Sequence, residues 1–186
     1  GQERELSEKF SARLGFRLPV WQNIGETWQL VFDENHQLSD TIHPGKGEVY
    51  HGYFDIEPRL SLNYKLGPRA SLKASYNKLT QHLQIISNSV SPFTGLDVWL
   101  PAGPGLKPQK VHQLNLGYLQ ETKNKTFEFS VETFYKFLKN QIDYVDHPNL
   151  MLNPRLEGEL RTGKGKAHGI EAMAKKNTGQ LTGWIS

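Results

Sequence analysis

Residues 54–76, FDIEPRLSLNYKLGPRASLKASY, constrain the fold more than any other stretch of the chain. Phe54, Ile56, Pro58, Leu60, Leu62, Tyr64 and Leu66 fall on one parity, and Asp55, Glu57, Arg59, Ser61, Asn63 and Lys65 on the other. Successive side chains of an extended backbone point to opposite sides, so this alternation describes a β-strand with one apolar and one polar face. Gly67-Pro68 marks a tight turn. Alternation then resumes, with Ala70, Leu72, Ala74 and Tyr76 against Ser71, Lys73, Ser75 and Asn77. Two such strands around so short a connection form an antiparallel hairpin. A globular strand runs to about five or six residues. This one alternates for roughly twice that, close to the ~9–11 residues with which a tilted strand crosses a bilayer. An apolar face opposite a charged face suits a wall between lipid and water. The period alone fits a half-buried sheet of a soluble β protein equally well.

Composition removes other classes. The 186 residues suffice for one domain with a core. Only 37% are hydrophobic and the mean hydropathy is −0.58, which leaves a barrel open because barrel strands are only half apolar. No apolar run approaches the ~18 residues of a transmembrane helix, so a helical membrane protein is excluded. The 22 basic and 19 acidic residues give a net charge of +3 and are interspersed, with no patch that argues for nucleic acid. The absence of cysteine excludes disulfide scaffolds and thiolate metal sites. The polar start and the end at Trp184-Ile185-Ser186 read as cuts within a longer protein.

In chain order, residues 1–9 read as a frayed polar lead-in. Residues 9–18 form a first long strand, ended by Pro19. Residues 19–52 are a long connection that holds an excursion hairpin of residues 27–32 and 38–42. After the hairpin of residues 53–66 and 69–86 comes a second long loop, residues 87–109, rich in Pro and Gly. Strands over 110–120 and 126–144 flank a short polar turn, and residues 145–164 make a third long connection. A strand over 166–176 then turns through Asn177-Thr178-Gly179 into residues 181–186. The connections alternate long and short, so short turns gather at one end and long loops at the other. That is the layout of outer-membrane barrels, and a sandwich or Greek key has no reason to sort its loops this way. The fold expected is all-β, an antiparallel up-and-down meander forming part of a transmembrane β-barrel.

Four segments carry a resemblance: DIEPRLSLNYKLGPRASLKASYNKLTQHLQIISNS (55–89), LDVWLPAGPGLKPQKVHQLNLGY (96–118), FSVETFYKFLKNQIDY (129–144) and GKGKAHGIEAMAKKNTGQLTGWIS (163–186). In this order they resemble the barrel of TonB-dependent outer-membrane receptors, of the nutrient-uptake type with a carboxypeptidase-regulatory-like N-terminal extension. The resemblance covers nearly the whole chain. It implies a ~22-stranded barrel closed by a plug, of which roughly seven strands from the C-terminal half are present here, without plug or N-terminal region. It also implies an outer-membrane location in a Gram-negative cell, contact with outer-membrane lipid, and a TonB energy-coupling protein acting through the plug. The protein would bind a nutrient and take it up without chemistry, and this piece would not transport alone. An isolated piece would self-associate through its bare apolar face and open edges. A soluble carbohydrate-binding β module is the alternative, and an enzyme fragment a third reading.

Chemical motifs are sparse. Residues 163–169, GKGKAHG, lack the G-x-x-x-x-G-K-[ST] spacing of a phosphate loop and read as a flexible entry to a strand. Gly117 and Gly169 read as relief of crowding on their strands. The seven histidines form no H-x-H or H-x-x-x-H pair, so no metal or cofactor is expected. Glu57 with Arg59, and Glu128 with Glu132, share the polar parity and read as charges facing a lumen rather than as a glycosidase site. Trp21, Trp28 and Trp99 fall in the long loops and are the candidate ligand-binding residues, able to stack on a sugar or another ring. Loop packing or an interfacial aromatic girdle accounts for such residues too. Trp184, beside a short turn, reads as girdle.

Overall fold

The computed structural model describes residues 2–33, 35–87, 97–150 and 153–186. The strands are β1 (Gln2–Ser7), β2 (Phe10–Arg17), β3 (Val20–Ile24), β4 (Gln29–Phe32), β5 (Leu38–Ile42), β6 (Val49–Phe54), β7 (Glu57–Gly67), β8 (Ala70–Gln81), β9 (Leu83–Ser87), β10 (Asp97–Pro101), β11 (Gln109–Glu121), β12 (Phe127–Tyr144), β13 (Leu160–Lys176) and β14 (Gly183–Ile185). The one helical element among the described residues is a 3-10 turn, Leu156–Glu159. Eight strands form one antiparallel sheet in the order β1-β2-β7-β8-β11-β12-β13-β14, a meander in chain order. It is open among the described residues, with β1 and β14 at its edges.

The alternation read in the sequence sets the two faces. One row of cross-strand partners is Leu14, Leu60, Tyr76, Leu114 and Tyr135. The next is Ala12, Leu62, Ala74, Leu116, Thr133 and Ile170, and the third is Phe10, Tyr64, Leu72, Tyr118, Val131 and Ala172. The interleaved rows are more polar: Ser61, Ser75 and Asn115 lead to Phe134 in one, and Asn63, Lys73, Gly117, Glu132 and Glu171 make up another. A one-residue slip in any pair would exchange the two sets, so a single register satisfies every strand at once. The apolar face stands open: Leu114 is 56% exposed, Leu116 54% and Ile170 77%. β12 and β13 have 18 and 17 residues, well beyond the ~9–11 that cross a bilayer, so they rise past the apolar band into the loop layer.

Connections are sorted as expected. Short turns join β1 to β2, β7 to β8 through Pro68-Arg69, β11 to β12 and β13 to β14. The long connections lie at the other end and carry structure of their own: β3 pairs with β6, β4 with β5, and β9 with β10.

Four expectations are corrected. Residues 2–7 are not a frayed lead-in but a strand paired to β2 from Gln2↔Leu14 to Ser7↔Phe10. Loop 87–109 contains β10, antiparallel to β9, although residues 88–96 of that loop lie outside the described residues. Residues 163–169 belong to the regular ladder of β12 and β13, not to a loop. Trp184 pairs with Lys175, which pairs with Glu128, so it sits on the polar face rather than in an outward girdle, and Ile185 takes the apolar position beside Ala174.

Candidate functional site

Folding brings the long connections together over the loop end of the sheet. Their apolar centre is Ile86 of β9, Leu100 of β10, Leu106 and Leu160, with Val98, Ile142, Tyr144 and Leu156 packed around it. Side chains from distant segments then converge on one stretch of backbone. Trp21 Nε1 donates to the Ala102 carbonyl at 2.9 Å, Asn23 Nδ2 donates to the same oxygen at 2.8 Å, and the Tyr53 hydroxyl donates to the Gly103 carbonyl at 2.8 Å. Buried carbonyls need such partners, and here side chains supply them where no strand neighbour does.

Below this seam lies a charged node. Asp55 is 4% exposed, and Lys110 Nζ donates to its Oδ1 at 2.6 Å while His82 Nε2 stands 3.4 Å from Oδ2. The Trp21 ring stacks on His82 with centroids 5.6 Å apart. A buried carboxylate is tolerated only when paired, so this node ties the residues that follow β6 and β8 to β11 at the rim. Glu57, 1% exposed, accepts from the Thr80 backbone N–H at 2.7 Å. Arg17 and Arg59 each approach its Oε2 at 3.9 Å. With Arg13 these arginines line a polar concavity of roughly 350 Å³ on the polar face of the wall. The shared parity of Arg13, Arg17 and Arg59 was visible in the sequence, but their adjacency follows from the β2–β7 register.

A second cavity, of roughly 190 Å³, opens in the loop layer between β4, β10 and the 3-10 turn. Trp28, Gln29, Phe32, Leu156 and Glu157 line it. Trp28 is 69% exposed and stacks on His43 with centroids 4.1 Å apart. Gln29 Nε2 reaches Glu157 Oε2 at 3.5 Å, and the Tyr50 hydroxyl donates to Gln29 Oε1 at 3.4 Å. Burial raises the Glu157 carboxyl above its ordinary range, against the smaller opposing effect of the Gln29 hydrogen bond. An aromatic plane beside an amide and a carboxyl, open to solvent, can hold a ring that carries hydroxyls.

The three loop tryptophans therefore have different surroundings. Trp21 has its N–H and its ring engaged within the protein. Trp28 borders the cavity. Trp99, 60% exposed, precedes Leu100 on β10; Leu100 lines that cavity, and the alternation of the strand turns Trp99 to the opposite side. Sequence reading missed Gln29 and Glu157, since neither falls in a motif and Glu157 sits on a connection without periodicity.

Comparison with known proteins completes the picture. No curated protein sequence matches this chain. The fold is similar to a crystal structure of the ferric-catecholate import receptor Fiu from E. coli K12, in its closed form. The TM-score is 0.55 at 14% identity, over 95% of this chain and 24% of that one. The chain thus spans about a quarter of the length of that receptor. Residues 3–185 match the family model described as "TonB dependent receptor-like, beta-barrel". That family consists of transport receptors of the Gram-negative outer membrane. The chain belongs to the TonB-dependent receptor family and is built from its β-barrel wall.

Proposed function

We propose that residues 1–186 form part of the barrel of a longer outer-membrane receptor that binds a nutrient outside the cell and takes it up with energy from a TonB-type coupling protein. No chemistry is done on the cargo. The observation that carries this reading is the two-faced sheet of long strands, whose apolar side is open across the eight-strand meander while every long connection gathers at one end. In water such a face would be costly, at ~1.5–3 kcal/mol for each large apolar side chain, which disfavours a soluble binding module. Against lipid it carries no such cost.

Within the loop layer, Trp28 borders the Gln29–Glu157 cavity, Trp99 is exposed on the side of β10 opposite the cavity-lining Leu100, and Trp21 holds the loops in place. The cargo that fits is a ligand with hydroxylated rings, a class that includes sugars and catechols. Fiu, whose fold this chain shares, is an import receptor for ferric catecholates, and catechols fall within the same class.

The test is uptake by cells carrying the intact protein, with radiolabelled ferric catecholate and labelled maltooligosaccharide as probes. W28A should reduce cell-surface binding of the accepted probe about tenfold, as loss of a stacking ring predicts. W21F should leave binding within about twofold, because it keeps an aromatic ring against His82 and Asn23 still donates to the Ala102 carbonyl. Dissipating the proton gradient should abolish uptake and spare binding. Uptake that continues in de-energised cells, or binding indifferent to Trp28, would defeat the proposal.

A further inference from the structure

The cavity beside Trp28 holds a carboxyl with no cation to balance it among the described residues. Glu157 is half-buried in the 3-10 turn, and none of the residues that line the cavity is basic. Its side chain takes part in none of the ion pairs of the described residues. The one hydrogen bond that its carboxyl accepts there is a long one, from Gln29 Nε2 at 3.5 Å. Gln29 cannot turn to improve it. Its Nε2 also donates to the Leu30 carbonyl at 3.0 Å, and its Oε1 accepts from the Tyr50 hydroxyl at 3.4 Å. Gly105 closes on the same carboxyl oxygen, since a Cβ placed there would meet Oε2 at 3.1 Å. Burial raises the Glu157 carboxyl, and only the Gln29 hydrogen bond opposes the effect.

Aromatic rings stand around this carboxyl. His43 stacks on one face of Trp28 and holds the indole in place. The Phe32 ring lies over Gly158, where a Cβ would meet Cε1 at 2.9 Å, so it is fixed beside the backbone that carries Glu157. A desolvated carboxylate without a partner is costly, and the group that relieves it here is a cation from outside the protein. An ammonium gains twice, from the carboxylate and from the negative faces of the rings. The volume of roughly 190 Å³ is smaller than the ~300–1,000 Å³ that encloses a drug-sized ligand. It suits a single ring of a longer cargo.

We propose that this cavity holds a sugar ring bearing a protonated amine, with the ammonium donating to Glu157 and the ring resting on Trp28. The assignment rests on the reading of the loop layer as the cargo site and narrows it. Within the class of hydroxylated rings it selects a saccharide with free amines over a neutral saccharide. It also selects against a ferric catecholate, whose negative charge the carboxylate repels.

The experiment measures binding to the purified intact protein in neutral-detergent micelles by isothermal titration calorimetry. The probes are a short oligoglucosamine, the same oligomer after N-acetylation, and a maltooligosaccharide of equal length. Wild type should bind the free-amine oligomer about tenfold more tightly than either neutral one, as a charge-assisted hydrogen bond predicts. E157Q should bring the three to within about twofold of one another. E157D, whose carboxylate is shorter by a methylene, should reduce the preference partway, which covers the case of an E157Q protein that does not assemble. E159Q, on the same turn but outside the cavity lining, should keep the wild-type preference. An amine preference that survives E157Q, or tetralysine competing as strongly as the oligoglucosamine, would overturn the amino-sugar assignment. W28A separates the two readings. Saccharide binding that needs Trp28 but ignores the amine removes this assignment alone, whereas binding of all three probes indifferent to Trp28 defeats the cargo reading and the amine site with it.

Discussion

A substitution at Gly169 tests how closely the wall is packed. A Cβ placed there would meet Phe134 Cε1 at 2.8 Å and Cζ at 2.9 Å, closer than carbon atoms tolerate. Gly169 and Phe134 are cross-strand partners on the polar face, so the ring covers a position where the backbone has no side chain of its own. Lys136 Nζ lies 5.2 Å from the centre of the same ring. In G169A the ring must move. Overpacking of this kind costs ~1–3 kcal/mol, and displacing the ring from Lys136 adds ~0.5–1 kcal/mol. Removing a glycine from a strand returns ~0.5–1 kcal/mol. The net expectation is a loss of about 1–2 kcal/mol, from the overpacking and glycine contributions together. In an F134A background the clash is gone and only the glycine benefit remains, so the same substitution should stabilise by ~0.5–1 kcal/mol. The coupling between the two sites is then about 2 kcal/mol. Urea titration of the intact protein in lipid vesicles, followed by tryptophan fluorescence, measures all four corners of the cycle, provided the dependence on urea is unchanged between variants. A coupling below ~0.5 kcal/mol would show that the glycine is not there to make room for the ring.

Two further predictions concern the loop layer. D55A leaves Lys110 without its partner at the rim and should destabilise the protein by ~3 kcal/mol, whereas D55A/K110M should recover much of this; the same urea titration compares them. Glu157 has a raised carboxyl pKa in the folded loop. Its contribution is therefore complete below the unfolded value near 4.5 and is lost as pH rises through the folded value. Amide hydrogen exchange in the 3-10 turn should accelerate over that window in wild type, and E157Q should abolish the dependence. An E157Q profile that still follows wild type would assign the transition to another group.

Much of this architecture was legible in the sequence because period-2 patterning is local. Each residue of an extended chain knows its face from its neighbours, so the faces of Leu60, Leu62, Tyr64, Leu72, Phe127 and Phe129 could be assigned before any pairing was known. Sorting of connections into short and long needs only strand boundaries. The role of Gly169 as relief of crowding was legible for the same reason, though its partner Phe134 was not.

Parity does not survive an irregular connection. The phase of Trp184 could not be counted across residues 177–182, and the register with Lys175 turned it to the polar face. Polarity also misled at residues 2–7, where a strand with little apolar content is held by backbone pairing to β2 rather than by burial. In the loop layer there is no period to read. Trp21 and Ala102 are 81 residues apart, and Gln29 and Glu157 are 128 apart. Nothing local distinguishes a tryptophan that caps a buried carbonyl from one that faces solvent. That distinction, like the meeting of Trp28, Phe32 and Glu157 around one cavity, arises from which segments lie side by side, a property of the assembled chain.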